Sequence, residues 1–184
     1  MNDCLEALLQ LLPLDRLPRT GWVQGGVPVP ESIAGHILGV SHLALALGPR
    51  IEPPVDMARL LTLCLIHDAP EAWLGDIPRS GSQLLAAGSK PAAEHAAAEK
   101  LLTPLDPGLH KAFWDYQAGD SREARLVKLI DKLQLGVQLL AYLRAGQRGL
   151  DDFVESVRAT GCDEFPPAEE FKRALLGRIE EILD

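Results

Sequence analysis

The sequence predicts an all-α fold, a single-domain helical bundle, and three observations carry that expectation. Leu and Ala dominate a composition that is 47% hydrophobic, while Val, Ile and the aromatics are sparse, a balance that favours helix over sheet. Apolar residues recur every three or four positions along several stretches, the spacing of one helix face. No stretch alternates as a strand would, and there is no internal repeat or low-complexity linker. At 184 residues the chain suits one well-packed domain and is short for two. Residues 1–184 are therefore expected to form one unit, with a motif core at about 30–145 and packing helices at about 151–183.

Asp3 is expected to cap a first helix that Pro13 stops at about Leu12. Residues 13–30 show neither period and read as a long loop, the kind that in compact domains tends to be functional or disordered. Arg19 and Trp22 are its notable side chains; taken alone they read as a surface residue and an anchor. A second helix is expected from Pro30–Ser32 to about Leu47, with the stripe Ile33, Ile37, Val40, Leu43, Ala44, Leu47 and a stop at Gly48-Pro49. The next begins after Pro53-Pro54 with Asp56 in its first turn. Residues 79–90 are rich in Gly and Ser and read as a mobile flap. Helices follow at about Pro91–Leu102, bearing His95 and Glu99, and from Asp106-Pro107 to about Gln117, bearing His110 and Trp114. A long helix to about Ala145 carries Leu126, Leu129, Ile130, Leu133, Val137 and Leu140, with Ser121 at its start. Two shorter helices, about Asp151–Thr160 and Pro167–Leu183, close the chain as packing elements.

The net charge of -8, without a basic run, argues against general binding to a nucleic-acid polymer, although a single nucleotide remains compatible with it. Cys4, Cys64 and Cys162 are odd in number and far apart, so no disulfide framework is expected and a cytoplasmic setting fits. The acidic amino terminus does not read as a signal peptide, and no uncharged run approaches a membrane span.

The chemistry concentrates in Leu60–Pro78, LLTLCLIHDAPEAWLGDIP. An apolar run ends in His67-Asp68, with Glu71 a helical turn later and Asp76 just past Gly75. Residues three or four apart share a helix face, so His67, Asp68 and Glu71 can point at one spot. Unpaired charges at the end of a buried helix are costly, and a metal ion is the simplest partner. Taken singly, His36 reads as a core histidine and Asp131 as a solvated acid beside Lys128 and Lys132. Taken together, His36, His67, Asp68 and Asp131 come from three helices that must bury their stripes against one another, so they can converge in a bundle core. Two imidazoles and two carboxylates suit a divalent first-row metal with positions left open, and no cysteine takes part as in a closed structural zinc site.

LPRTGWVQGGVPVPESIAGH, LCLIHDAPEAWLGDIP and KLIDKLQLGVQLLAYL, in that order, resemble the HD-domain metal-dependent phosphohydrolases, whose pattern is H…HD…D. The nearer resemblance is to the HD-domain 5'-deoxynucleotidases, and it spans most of residues 17–143. It implies an HD-domain helical bundle that hydrolyses a phosphate ester, a nucleoside 5'-monophosphate, with one divalent transition metal (Mn, Co, Fe, Ni or Zn). His36, His67, Asp68 and Asp131 match the metal ligands, and Glu71 the acid that helps activate water. Asp76 matches the carboxylate that holds a sugar hydroxyl, Arg19 the arginine that meets the phosphate, and Trp22 the aromatic that shapes the sugar pocket. Arg79 is a further candidate for substrate contact. Only this resemblance suggests a homodimer.

Two residues depart from the pattern. Gly35 stands where the family often has an acid before its first histidine, so any role of that acid is missing or supplied elsewhere. Pro70 follows the HD pair and is expected to tighten the turn or start a new helical segment. Two other readings stand beside the phosphohydrolase: a di-iron HD-fold oxygenase that recruits His95 and His110, and a binding module without catalysis.

Overall fold

The computed structural model describes residues 1–183, and among them the chain is all α: eleven helices, two 3-10 turns and no strand. The first helix, α1 (Asn2–Leu11), begins two residues earlier than expected, so Asp3 lies inside its first turn and caps nothing. Residues 13–30 are not one loop. A 3-10 turn over Leu12–Asp15 leads to a short helix α2 (Thr20–Gln24), and an isolated bridge joins Pro18 to Ser32. Each piece is too short for a period to register.

Three helices form the centre of the molecule. α3 (Ile33–Leu47) is capped by Ser32, whose hydroxyl accepts from Gly35 N, and α4 (Met57–Ile66) by Asp56, whose carboxylate accepts from the amides of Ala58 and Arg59. The chain then restarts as α5 (Glu71–Leu74) behind Pro70, and α6 (Arg79–Ser82) is a short helix inside the expected flap. α7 (Ser89–Leu102) and α8 (Pro107–Ala118) follow. α9 (Arg122–Arg144) is capped by Ser121, which accepts from Ala124 N. α10 (Asp151–Arg158) and α11 (Pro166–Leu183) complete the fold.

The expected stripe of α3 is buried throughout: Ile33 and Ile37 pack with Leu14, and Val40, Leu43, Ala44 and Leu47 join a core with Leu60, Leu63 and Cys64 of α4 and Leu126, Ile130 and Leu133 of α9. The stripe of α9 departs from expectation past Leu133. Val137 is exposed, and the buried face continues through Gly136, Leu139 and Leu143 under α10 and α11. Gly136 permits that crossing, because a Cβ there would sit 2.7 Å from Leu175 Cδ2 and 3.0 Å from Val157 Cγ2. This second core also receives Trp22, which is 1% exposed, stacked on Phe153 of α10 and edge-on to Tyr142. Trp22 is thus a core residue rather than a loop anchor, and truncation to Ala should cost about 3–5 kcal/mol of stability. None of these helices is long and apolar enough to cross a membrane.

Candidate metal centre

α4 ends at Ile66, and His67 is its C-cap. The His67–Glu71 segment is therefore a turn between two helices and not the single helix that the spacing alone allowed. The turn still brings the side chains to one place. His67 Nδ1 donates to Cys64 O at 2.7 Å, which leaves Nε2 to face inward, 3.3 Å from Asp68 Oδ2 and 3.4 Å from His36 Nε2. From α3, the fully buried His36 places Nε2 3.6 Å from Asp68 Oδ2 and 2.9 Å from Asp131 Oδ1 of α9. His36, His67 and Asp68 each offer a ligand atom within 4.8 Å of the others, and Asp131 closes the group from the His36 side. Asp131 therefore faces the imidazoles, not a lysine. Two imidazoles and two carboxylates gathered this closely fit a divalent metal among them.

The site's electrostatics follow from burial and crowding. Burial opposes the charged form of every group here. At His67 the nearby Asp68, with lesser help from Asp131 and the Cys64 carbonyl, outweighs it and holds the imidazole up at about 9. Asp68 also resists burial: His67, then Arg19 and His36, keep its carboxyl well below the usual range. Asp131 is lowered against its burial by His36 and His67. Glu71, only 7% exposed, goes the other way. Burial first, then repulsion from Asp68 and Asp76, pushes it up to about 10, and its Oε2 has no hydrogen-bond partner. Glu71 thus keeps its proton in the metal-free chain while the neighbouring carboxylates lose theirs.

Arg19 enters from the segment before α2. Its Nη1 donates to Asp68 Oδ2 at 3.0 Å, while Nη2 lies 4.0 Å from Asp131 and Nε 4.0 Å from Asp76. Gly75 turns the chain at φ +70°, where L side chains are strained, and this delivers Asp76 to the same place. Asp76 Oδ2 accepts from Thr20 N at 2.6 Å and Thr20 Oγ1 donates to Asp76 O at 2.7 Å, so the two segments are clamped together. These groups line the floor of a cleft of about 1400 Å³, whose walls include Trp22, Tyr116, Lys132 and Phe153. Arg79 is exposed on the same cleft and touches none of the inner group in this structure.

Several features could not be read in the sequence. Tyr116 packs edge-on to His67 with ring centroids 5.8 Å apart, and burial raises its hydroxyl well above the ordinary value. Glu31 and Gln134 stand behind His36, and the one available signal was an amide at a stripe position three residues after Asp131. α10, expected only to pack, contributes Asp152, Phe153, Glu155 and Ser156 to the cleft wall. His95, expected on a solvated helix, is half-buried and stacked on Trp114. Neither His95 nor His110 joins a metal-ligand group among the described residues, so the di-iron reading loses its extra ligands.

The chain is similar to known proteins in both sequence and fold. The chain is similar to the 5'-deoxynucleotidase HDDC2 of Danio rerio, 32% identical over 77% of this chain and 70% of that protein. It is also similar to the 5'-deoxynucleotidase hdd1 of Schizosaccharomyces pombe, 30% identical over 82% and 76% of the two chains. A crystal structure of a Pyrococcus horikoshii OT3 protein superimposes with a TM-score of 0.82 at 31% identity, over 95% of this chain and 99% of that one. The fold also matches a predicted metal-dependent phosphohydrolase of Magnetospirillum magnetotacticum MS-1, with a TM-score of 0.67 at 18% identity, over 99% and 92% of the two chains. The family model described as HD domain matches residues 14–161, most of the chain, and the protein belongs to the HD-domain family.

Proposed function

We propose that the protein is a metal-dependent phosphomonoester hydrolase that converts nucleoside 5'-monophosphates, deoxyribonucleotides foremost, to nucleoside and phosphate. One observation carries the reading: His36, His67, Asp68 and Asp131 converge beside a buried, unpartnered acid and an arginine, at the floor of a cleft that admits a nucleotide. The relatives named as 5'-deoxynucleotidases support the substrate class.

His36 Nε2, His67 Nε2 and carboxylate oxygens of Asp68 and Asp131 would hold one divalent ion, with Mn, Co, Fe, Ni and Zn all suited to such ligands. When bound, such an ion acidifies a water molecule and polarises a phosphoryl oxygen. Burial and repulsion from Asp68 and Asp76 keep the proton on Glu71. With a cation held beside it that repulsion would be offset, and the ionised carboxylate would then orient the attacking water and take up its proton. Arg19 has five N–H donors and gives one to Asp68, which leaves others for phosphate oxygens as charge builds in the transition state. As the phosphorus–O5' bond breaks, the proton taken up by Glu71 passes to the 5' oxygen, which leaves as the nucleoside hydroxyl. Asp76 commits Oδ2 to Thr20, so Oδ1 is the atom for a sugar hydroxyl. Trp22, stacked on Phe153, backs the wall that shapes the sugar pocket, and Arg79 reaches the substrate from the rim.

A binding module without catalysis has no use for a buried acid with an unpartnered oxygen at the floor of the site, and Glu71 is such an acid. The three free cysteines fit a reducing, cytoplasmic setting, and a homodimer is the assembly we propose. The test is phosphate release from ribo- and deoxyribonucleoside 5'- and 3'-monophosphates by the metal-loaded protein. Release from the 5' esters, faster for deoxyribonucleotides, is expected. Equal release from 3' esters or simple phosphates would discard the nucleotidase assignment, and no release from any ester would discard hydrolysis.

A further inference from the structure

The hydrogen bonds behind His36 run in one direction. Trp22 Nε1 donates to Glu31 Oε1 at 3.0 Å, Gln134 Nε2 donates to Glu31 Oε2 at 3.1 Å, and Gln134 Oε1 lies 2.6 Å from His36 Nδ1. Glu31 N donates to the Tyr142 hydroxyl at 2.7 Å, which ties the backbone of this link to the second core. A carboxylate only accepts hydrogen bonds. Glu31 therefore compels Gln134 to offer its NH2 group and to turn its amide oxygen toward His36. That oxygen can only accept, so His36 carries a proton on Nδ1, and Nε2, which faces Asp68 and Asp131, is the nitrogen left to hold a cation.

Packing leaves this chain little room to rearrange. His36 is fully buried, Gln134 is 5% exposed and Trp22 1%. Gly39, one turn along α3 from His36, makes space for the amide. A Cβ there would lie 2.7 Å from Gln134 Nε2 and 3.0 Å from its Cγ. Gly35 is exposed, and no acid stands beside His36 in sequence; the carboxylate behind it comes from the segment before α3.

We infer that Glu31 and Gln134 are positioning residues that set the tautomer and ring orientation of His36, with Gly39 providing the space for the amide. This rests on the proposal that His36 is a metal ligand. Partners of this kind typically change metal affinity 10- to 100-fold when lost.

The test is titration of the metal-stripped full chain with Co(II), following affinity and the visible absorption spectrum. Glu31→Gln exchanges an acceptor-only group for one that can offer either face. It is expected to weaken Co(II) binding by about tenfold and alter the spectrum, with the metal-free protein melting close to wild type. The double exchange Glu31→Gln with Gln134→Glu restores a directed chain. The carboxylate at position 134 then accepts from His36, and the amide at position 31 donates to it while accepting from Trp22. It should recover most of the lost affinity and the wild-type spectrum. Gly39→Ala crowds the Gln134 amide without changing a polar group and should weaken Co(II) binding in the same direction. Should Glu31→Gln fail to fold, the double exchange and Gly39→Ala decide. The inference is overturned if Glu31→Gln keeps wild-type affinity and spectrum, or if the double exchange is as weak as the single one. A wild-type chain that binds no Co(II) would overturn the metal-ligand reading instead, a different result.

Discussion

At the inner end of the cleft, His36, His67, Asp68 and Asp131 sit on or directly after α3, α4 and α9, the helices that bury the main core, whereas Arg79, Ser80, Asp152 and Glu155 at the outer end are exposed residues of short elements. The inner groups can hardly move without disturbing close-packed side chains. The outer ones can turn freely in solvent. On the proposed function, chemistry that tolerates little displacement would lie where packing is strongest, and substrate choice where the chain can vary. Substitutions should separate accordingly: turnover responds to the inner end, and the Michaelis constant to the outer.

The largest effect is expected at Asp68. Asp68→Ala removes a proposed ligand and the main counter-charge of His67 and Arg19, so metal content and phosphate release should both fall to background. Near-normal turnover in this variant would break the inner-end assignment. Glu71→Gln keeps the size of the side chain but can neither take up nor return a proton, and should lower kcat by roughly 10²–10⁴-fold with metal content unchanged. A loss confined to KM would show that Glu71 only binds substrate. At the outer end, Arg79→Ala should raise KM by less than about tenfold, the scale of one exposed ionic contact, and leave kcat alone. A fall in kcat there would erase the distinction between the two ends.

The smallest expected effect concerns the metal-free protein. His67 is raised to about 9 from its ordinary value of 6.5, so the stability it contributes is complete below pH 6.5 and is lost as pH rises through 9. Glu71, raised to about 10 from 4.5, acts with the same sign, because deprotonation of this buried acid opposes folding as pH climbs. The lowered Asp68 works oppositely, but only as pH falls below its ordinary value of 3.8. The melting temperature of the metal-free protein should therefore decline between about pH 6.5 and 9. With metal bound the decline should flatten, since ligation requires a neutral imidazole. An equal decline with and without metal would mean that His67 is not a ligand.

The inner end was the legible part of the sequence, for a physical reason. His67-Asp68 interrupts an apolar run, and His36 and Asp131 interrupt or border apolar stripes, so each is visible as an ionisable group where a core residue belongs. Regular helices with side-chain caps at Ser32, Asp56, Asp106 and Ser121 make their boundaries local events, and those boundaries were readable within a residue or two. What escaped is non-local or short. Gln134 meets His36 across 98 positions, and an amide within a helix looks solvated until its partner is known. Trp22 is buried by Phe153 and Tyr142, from elements more than a hundred residues away, and α2 is too brief for periodicity. The exposure of Val137 followed from where α11 crosses α9, a tertiary choice marked only by Gly136.

The central claim is that His36, His67, Asp68 and Asp131 hold one catalytic metal. The most direct measurement is to strip the protein of metal and add back one divalent ion at a time, following phosphate release from a deoxyribonucleoside 5'-monophosphate against metal bound per chain. Hydrolysis that is absent without metal and saturates at one ion per chain is the predicted result. Full hydrolysis by the stripped protein, or saturation without hydrolysis, would contradict the claim.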